Sequence, residues 1–209
     1  MKEINQGLAS GLFRGFLTLL VSLLMVSCAS IPELQVLYKL PPPSKQLKGR
    51  LVALTVNDAR ASKAVLGKGA EKEFKGFSGN ISLSIGDYNK KEFKVGIFNV
   101  PDLMREAFKR KLENSGAEVL PEKTSGKLEL MIVLREFSLD LEGREWVARM
   151  SYEARLIKGK ATLATQIING KAERYHLFGR DNADELMGEI FTDMVNAFGL
   201  SRLFKPAGN

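Results

Sequence analysis

Apolar and polar positions alternate with different periods along this chain, and the changes of period mark its predicted elements. Phe16 to Val26 is a run of eleven residues without a charge. Ala29 to Lys48 sustains no period and contains Pro32 and Pro41-Pro42-Pro43, so an extended, polyproline-like tether is expected. In Arg50 to Asn57, Leu51 and Ala53 alternate with Val52, Leu54 and Val56. Both faces are apolar, as in a central strand. Asn57 to Arg60 reads as a turn. Gly67, Gly69, Gly76, Gly79 and Gly86 mark loops around a short strand, Ile81 to Ile85, and Phe93 to Phe98 reads as another. Pro101 opens a helix to Asn114 with a stripe of Leu103, Met104, Ala107, Phe108 and Leu112. Gly116 terminates it, and Ala117 to Leu120 is a short extended piece.

Leu128 to Arg174 carries the clearest pattern. Leu128, Leu130, Ile132 and Leu134 alternate, and Phe137 and Leu139 continue on a shifted phase. Trp146, Ala148, Met150, Tyr152, Ala154 and Leu156 alternate without a shift. A turn at Leu141 to Arg144 would oppose Leu139 to Trp146 and Phe137 to Ala148. One extra residue near Arg135 then restores Leu134 against Met150 and Ile132 against Tyr152, which predicts a β-bulge there. That register also sets Glu136 against Arg149 and Glu129 against Arg155. A second turn at Lys158-Gly159 brings Leu156 to Ala161, Ala154 to Leu163 and Met150 to Ile167. Asn182, with Glu185 three residues on, predicts the capped start of a last helix. Its stripe is Leu186, Met187, Ile190, Phe191, Met194, Val195 and Phe198, and Gly199 ends it.

The expected fold class is α+β. It is a two-layer sandwich in which an antiparallel sheet, a three-stranded meander plus an N-terminal strand, packs on two amphipathic helices. Residues 1–27 form a leader, residues 28–48 a tether and residues 49–209 a domain large enough to fold alone.

The leader changes the picture most. Lys2 and Arg14 supply a basic start, and the eleven-residue run is shorter than the roughly 20 residues a spanning helix needs. Small residues and the chain's one cysteine follow, as Ser27-Cys28. The run Leu24-Met25-Val26-Ser27-Cys28 resembles the bacterial lipobox, with Met25 where leucine is commonest. The resemblance implies cleavage between Ser27 and Cys28. It implies a thioether-linked diacylglyceride on Cys28, with palmitate among the acyl chains. Acylated, Cys28 leaves no thiol for a disulfide or a metal. Ala29, where an aspartate would favour the inner membrane, implies the outer membrane, facing the periplasm.

The net charge of +7 falls to +6 when Lys2, Glu3 and Arg14 leave with the leader. Lysines gather in Lys39 to Lys48, in Lys63 to Lys94 and on the Arg105 to Lys111 helix face. Arg105, Lys109 and Arg110 are therefore a candidate partner surface. A solvated surface is the plainer reading, and anionic envelope polymers are a further one. Nucleic acid is not expected of an exported protein.

Catalytic constellations do not assemble. One His and one Cys make no zinc cluster, and neither Gly-x-Ser-x-Gly nor a phosphate-binding loop occurs. His176 is expected as a surface or core residue. Asp140, Glu142 and Glu145 cluster at a hairpin tip, where a carboxylate pair could in principle cleave glycans. No enzyme activity, cofactor or metal is expected.

Together the lipobox, the proline-rich stretch, Val56-Asn57-Asp58-Ala59-Arg60, the helix closing on Gly116, the meander with Trp146 and Met150-Ser151-Tyr152, and the last helix resemble the YajG-type lipoproteins of Gram-negative bacteria. The lysine- and glycine-rich stretch between Arg60 and Phe93 departs from them. The resemblance implies location and fold and no active site, and Asp58 with Arg60 reads as a structural turn pair. A non-enzymatic binding or assembly module of the envelope leads the functional readings. A carrier of lipid or glycan comes second and a cell-wall hydrolase third. A pocket lined by Trp146, Met150 and Phe191 would favour the carrier, and a solid core the module.

Overall fold

A computed structural model describes residues 33–87, 91–121, 127–177 and 180–207. The chain divides into units Met1–Ile31 and Pro32–Asn209, and all described residues lie in the second. In order they form β1 (Leu34–Lys39), β2 (Leu51–Asp58), a 3-10 turn (Ala70–Lys72), β3 (Ile81–Gly86), β4 (Glu92–Phe98), α1 (Val100–Asn114) and β5 (Glu118–Leu120). The meander β6 (Leu128–Glu142), β7 (Glu145–Lys158) and β8 (Ala161–Tyr175) follows, then α2 (Asp181–Ala197) and α3 (Leu200–Phe204).

The α+β class holds, but the single antiparallel sheet is corrected. Two sheets form, ordered β1-β3-β4 and β5-β2-β6-β7-β8. β1 runs parallel to β3, and β2 runs parallel to both β5 and β6. The chain leaves β2 and returns through α1, and a helical crossover makes parallel pairing available.

The tether is corrected over Leu34 to Lys39. Leu34, Val36 and Tyr38 alternate inward and are buried, so the folded unit begins before Gly49. Pro32 lies outside the described residues.

The meander keeps its expected bulge. Leu134 pairs Tyr152, Glu136 pairs Ser151, and Arg135 is the extra residue. Its register is corrected by two residues. Glu142 pairs Glu145, leaving Gly143-Arg144 as a two-residue loop in which Gly143 has φ +67°. Such loops require positive φ, which glycine supplies without strain. Leu139 therefore faces Ala148 and Phe137 faces Met150. A two-residue slip preserves the inward face, so the core residues were assigned correctly and their partners were not. The expected charge pairs dissolve, because Ser138 faces Arg149 and Met131 faces Arg155.

In the second hairpin Ile157 pairs Thr162 and Leu156 pairs Ala164. Leu163 is an unforeseen extra residue. It shifts the phase by one, and Ile167 turns outward, 68% exposed, with Gly170 facing Met150 in its place.

The α1 stripe is as expected, with Asn99 capping by accepting from the backbone N–H of Asp102. The cap at Asn182 is corrected. Arg180 precedes the helix without a side-chain cap, and Asn182 lies in the first turn. Edge-on aromatic pairs fill the core, Phe108 with Tyr152 at 5.3 Å and Phe108 with Phe198 at 5.6 Å.

Candidate functional site

Ser27 and Cys28 lie outside the described residues. The expected partner surface, Arg105, Lys109 and Arg110, lies on α1, and each cation has an acid on its own helix. Arg105 pairs Asp102, Lys109 approaches Glu113 at 3.9 Å, and Arg110 bonds Glu106 at 2.6 Å. These i,i+3 and i,i+4 pairs neutralise the face, so it is not the basic patch that its lysines and arginines suggested.

What joins this face to something else is β4. From Asn99 the helix folds back along the strand, and the Arg110 guanidinium sits 5.9 Å from the centroid of Phe93. Phe93 is 47% and Ile97 50% exposed. β4 ends the small sheet, pairing with β3 alone among the described residues. Its backbone groups on the far side are therefore available to another strand. Phe93, Val95 and Ile97 alternate along the strand that the sequence predicts over Phe93 to Phe98. A bulge at Val95, opposite the Leu83–Ser84 step, breaks that phase, so Phe93 and Ile97 turn to opposite faces of the sheet.

Two carboxylates of the hairpin tip, Asp140 and Glu142, have structural duties. Asp140 Oδ1 accepts from the N–H groups of Gly69 (2.9 Å), Ala70 (3.2 Å) and Leu141 (2.8 Å). Glu142 accepts from Arg149 at 2.7 Å. His176 packs edge-on against Trp146 at 5.5 Å, and its backbone N–H donates to Arg144.

Asp58 and Arg60 form the turn pair expected of them. The guanidinium of Arg60, buried, donates to both Asp58 oxygens at 2.9 and 3.0 Å, and Nη1 reaches the Phe137 carbonyl at 3.5 Å. Lys63 Nζ donates to the Asp58 carbonyl at 2.8 Å. Partial burial raises the Asp58 pKa, but the bonds from Arg60 and Lys63 outweigh it and hold the carboxyl at about 2.

Trp146, Met150 and Phe191 are fully buried. A cleft of about 370 Å³ lies elsewhere, where β1 meets α2, lined by Leu37, Lys39, Asp184, Gly188 and Thr192 among others.

No protein-family model matches the chain, and no curated protein matches its sequence. Solved structures do resemble it. A DUF330-family protein from Xanthomonas campestris superposes with a TM-score of 0.51 at 15% identity, covering 82% of this chain and 92% of that one. A hypothetical protein from Chlamydia trachomatis gives 0.46 at 10%, covering 77% and 99%. A lipoprotein from Neisseria meningitidis gives 0.29 at 12%, covering 71% and 96%. The first likeness shows a shared fold, and the other two are too slight to carry an argument. No helix among the described residues is long and apolar enough to cross a membrane.

Proposed function

We propose that this chain is a lipoprotein of the YajG type, anchored through Cys28 in the outer membrane of a Gram-negative envelope and facing the periplasm. Its domain acts there as a non-enzymatic binding or assembly module. Two or more acyl chains hold a protein at a membrane stably, whereas one does so only marginally. The observation that carries the binding role is the open edge of β4 with an exposed apolar residue on each face, Phe93 beside Arg110 and Ile97 opposite Ser82. An extended segment of an envelope protein would add to that edge. Its backbone would give affinity and its apolar side chains would cover Phe93 and Ile97.

Filled packing at Trp146, Met150 and Phe191 supports this reading over the carrier, and the backbone duties of Asp140 support it over the hydrolase. The test is capture from detergent-solubilised envelopes by the tagged full chain, compared with Phe93→Glu/Ile97→Glu. One envelope protein at constant stoichiometry is expected, with recovery falling at least about tenfold for the variant. Equal recovery by both, or co-purified lipid or glycan in place of protein, contradicts the proposal.

A further inference from the structure

A second edge, β8 of the larger sheet, is longer and has a different character. β8 runs fifteen residues and pairs with β7 alone among the described residues. Beyond the extra residue Leu163, its register with β7 is unbroken to Tyr175. Long, regular edges of this kind invite another strand, and proteins usually blunt them with proline, bulges or inward charges. β8 has no proline, its bulge protects only the first few residues, and its inward charge, Arg174, is held by Glu185 and Glu189 of α2. Its outward face carries Ile167, 68% exposed, and Tyr175, 51% exposed, and Leu177 just beyond the strand is 62% exposed.

We propose that β8 pairs with β8 of a second copy, antiparallel about a two-fold axis at Ala172. The sequence of the strand selects both the occupant and the register. About Ala172, Lys171 faces Glu173 of the second copy and Glu173 faces its Lys171. Asn169 faces Tyr175, and Ile167 faces Leu177. On the helix-facing side Ala172 meets Ala172 and Gly170 meets Arg174, so two large side chains are not opposed near the axis. Moving the axis one residue either way sets Lys171 against Lys171 or Glu173 against Glu173. Like charges directly opposite are destabilising, and opposite charges there are stabilising. Within one chain Lys171 and Glu173 already pair with each other, so the dimer completes an alternating group of four charges. The two five-stranded sheets become one continuous sheet of ten.

The experiment is sedimentation equilibrium of the full lipidated chain in density-matched detergent, with Lys171→Glu, Glu173→Lys and the double reversal. A dimer is expected. Either single reversal should weaken it roughly tenfold or more, and the double reversal should restore it. Ala172→Cys should form an intermolecular disulfide on oxidation. Both charges are solvent-facing, so the variants fold, which circular dichroism verifies. A monomer at every concentration, or a dimer indifferent to both single reversals, overturns the proposal. The purified protein suffices for this test, so its outcome is independent of partner capture at β4.

Discussion

The Lys111 side-chain nitrogen, on α1, lies 2.9 Å from the carbonyl oxygen of Phe198, just past the end of α2. It also donates to the carbonyls of Val195 at 2.6 Å and Asn196 at 3.1 Å, and lies 5.2 Å from the centroid of the Phe198 ring. The last turn of α2 has no basic residue of its own, so α1 supplies the donor for carbonyls that the helix leaves unsatisfied. Lys111→Met removes the donor and leaves those carbonyls buried. A loss of about 2–4 kcal/mol is expected in urea unfolding, and a loss below about 0.5 kcal/mol contradicts the capping role.

Burial lowers the Lys111 pKa to about 7, against 10.5 for a free side chain. Between those values the unfolded chain binds a proton that the folded chain gives up. Stability from this group is therefore full above pH 10.5 and is lost as pH falls through 7. Wild-type stability should rise from pH 7 to 10 relative to Lys111→Met. A flat difference across that range refutes the shift.

Asp58 acts at the acid end. Its carboxyl titrates at about 2 in the fold and at 3.8 in the free state. It stabilises fully above pH 4, and the contribution disappears as pH falls toward 2. Asp58→Asn should lower stability at pH 6 and flatten acid unfolding between pH 4 and 2. Unchanged acid unfolding would show that Arg60 gains nothing from the charge.

Asp184, Gly188, Thr192 and Asn196 recur every four residues on α2 and seat β1. Asp184 accepts from the Gln35 N–H at 2.9 Å. Thr192 accepts from the Lys39 N–H and donates to the Leu37 carbonyl, each at 3.1 Å, and Asn196 donates to the Lys39 carbonyl at 3.0 Å. A Cβ at Gly188 would lie 3.1 Å from Leu37 N and 3.2 Å from its carbonyl oxygen. Gly188→Val should lift the helix off the strand, with loss of hydrogen-exchange protection at Gln35 and Lys39. Retained protection at both amides contradicts the seating.

Gly67 and Asp140 form a further close approach. A Cβ at Gly67 would stand 2.1 Å from Asp140 Cγ, so Gly67→Ala must displace the carboxylate that holds the 3-10 turn. A loss of about 1–3 kcal/mol is expected by thermal or urea unfolding. A neutral result means that the loop can move aside without cost.

Legibility followed the strength of the local signal. Strict alternation in Leu128 to Leu156 exposed β6, β7 and the bulge at Arg135, and the helical stripes exposed α1 and α2. The pairing partners were hidden because period-2 patterns repeat under a two-residue slip. The two-residue loop closed by Glu142 and Glu145, with Gly143 at positive φ, goes with the observed register. β1 carries a clear alternation, Leu34-Val36-Tyr38, but the prolines on either side spoke for an open tether. The parallel pairing of β2 depends on where α1 crosses, which no local pattern encodes. At the candidate site the sequence marked the cations of α1 and missed the acids that neutralise them. It also assigned Phe93 and Ile97 to an ordinary strand, because exposure at a sheet edge is a property of the whole topology.

The central claim is that the β4 edge receives an envelope protein while the chain is anchored through Cys28. A photo-crosslinking residue at Ile97 of the full lipidated chain, activated in living cells, tests it most directly. Lys160, exposed in the turn between β7 and β8 of the other sheet, serves as the control position, and Cys28→Ala as the unanchored control. The account predicts one envelope-protein adduct at Ile97, absent at Lys160 and lost without the anchor. The same adducts at both positions, or a lipid or glycan adduct at Ile97 with no protein, would contradict it.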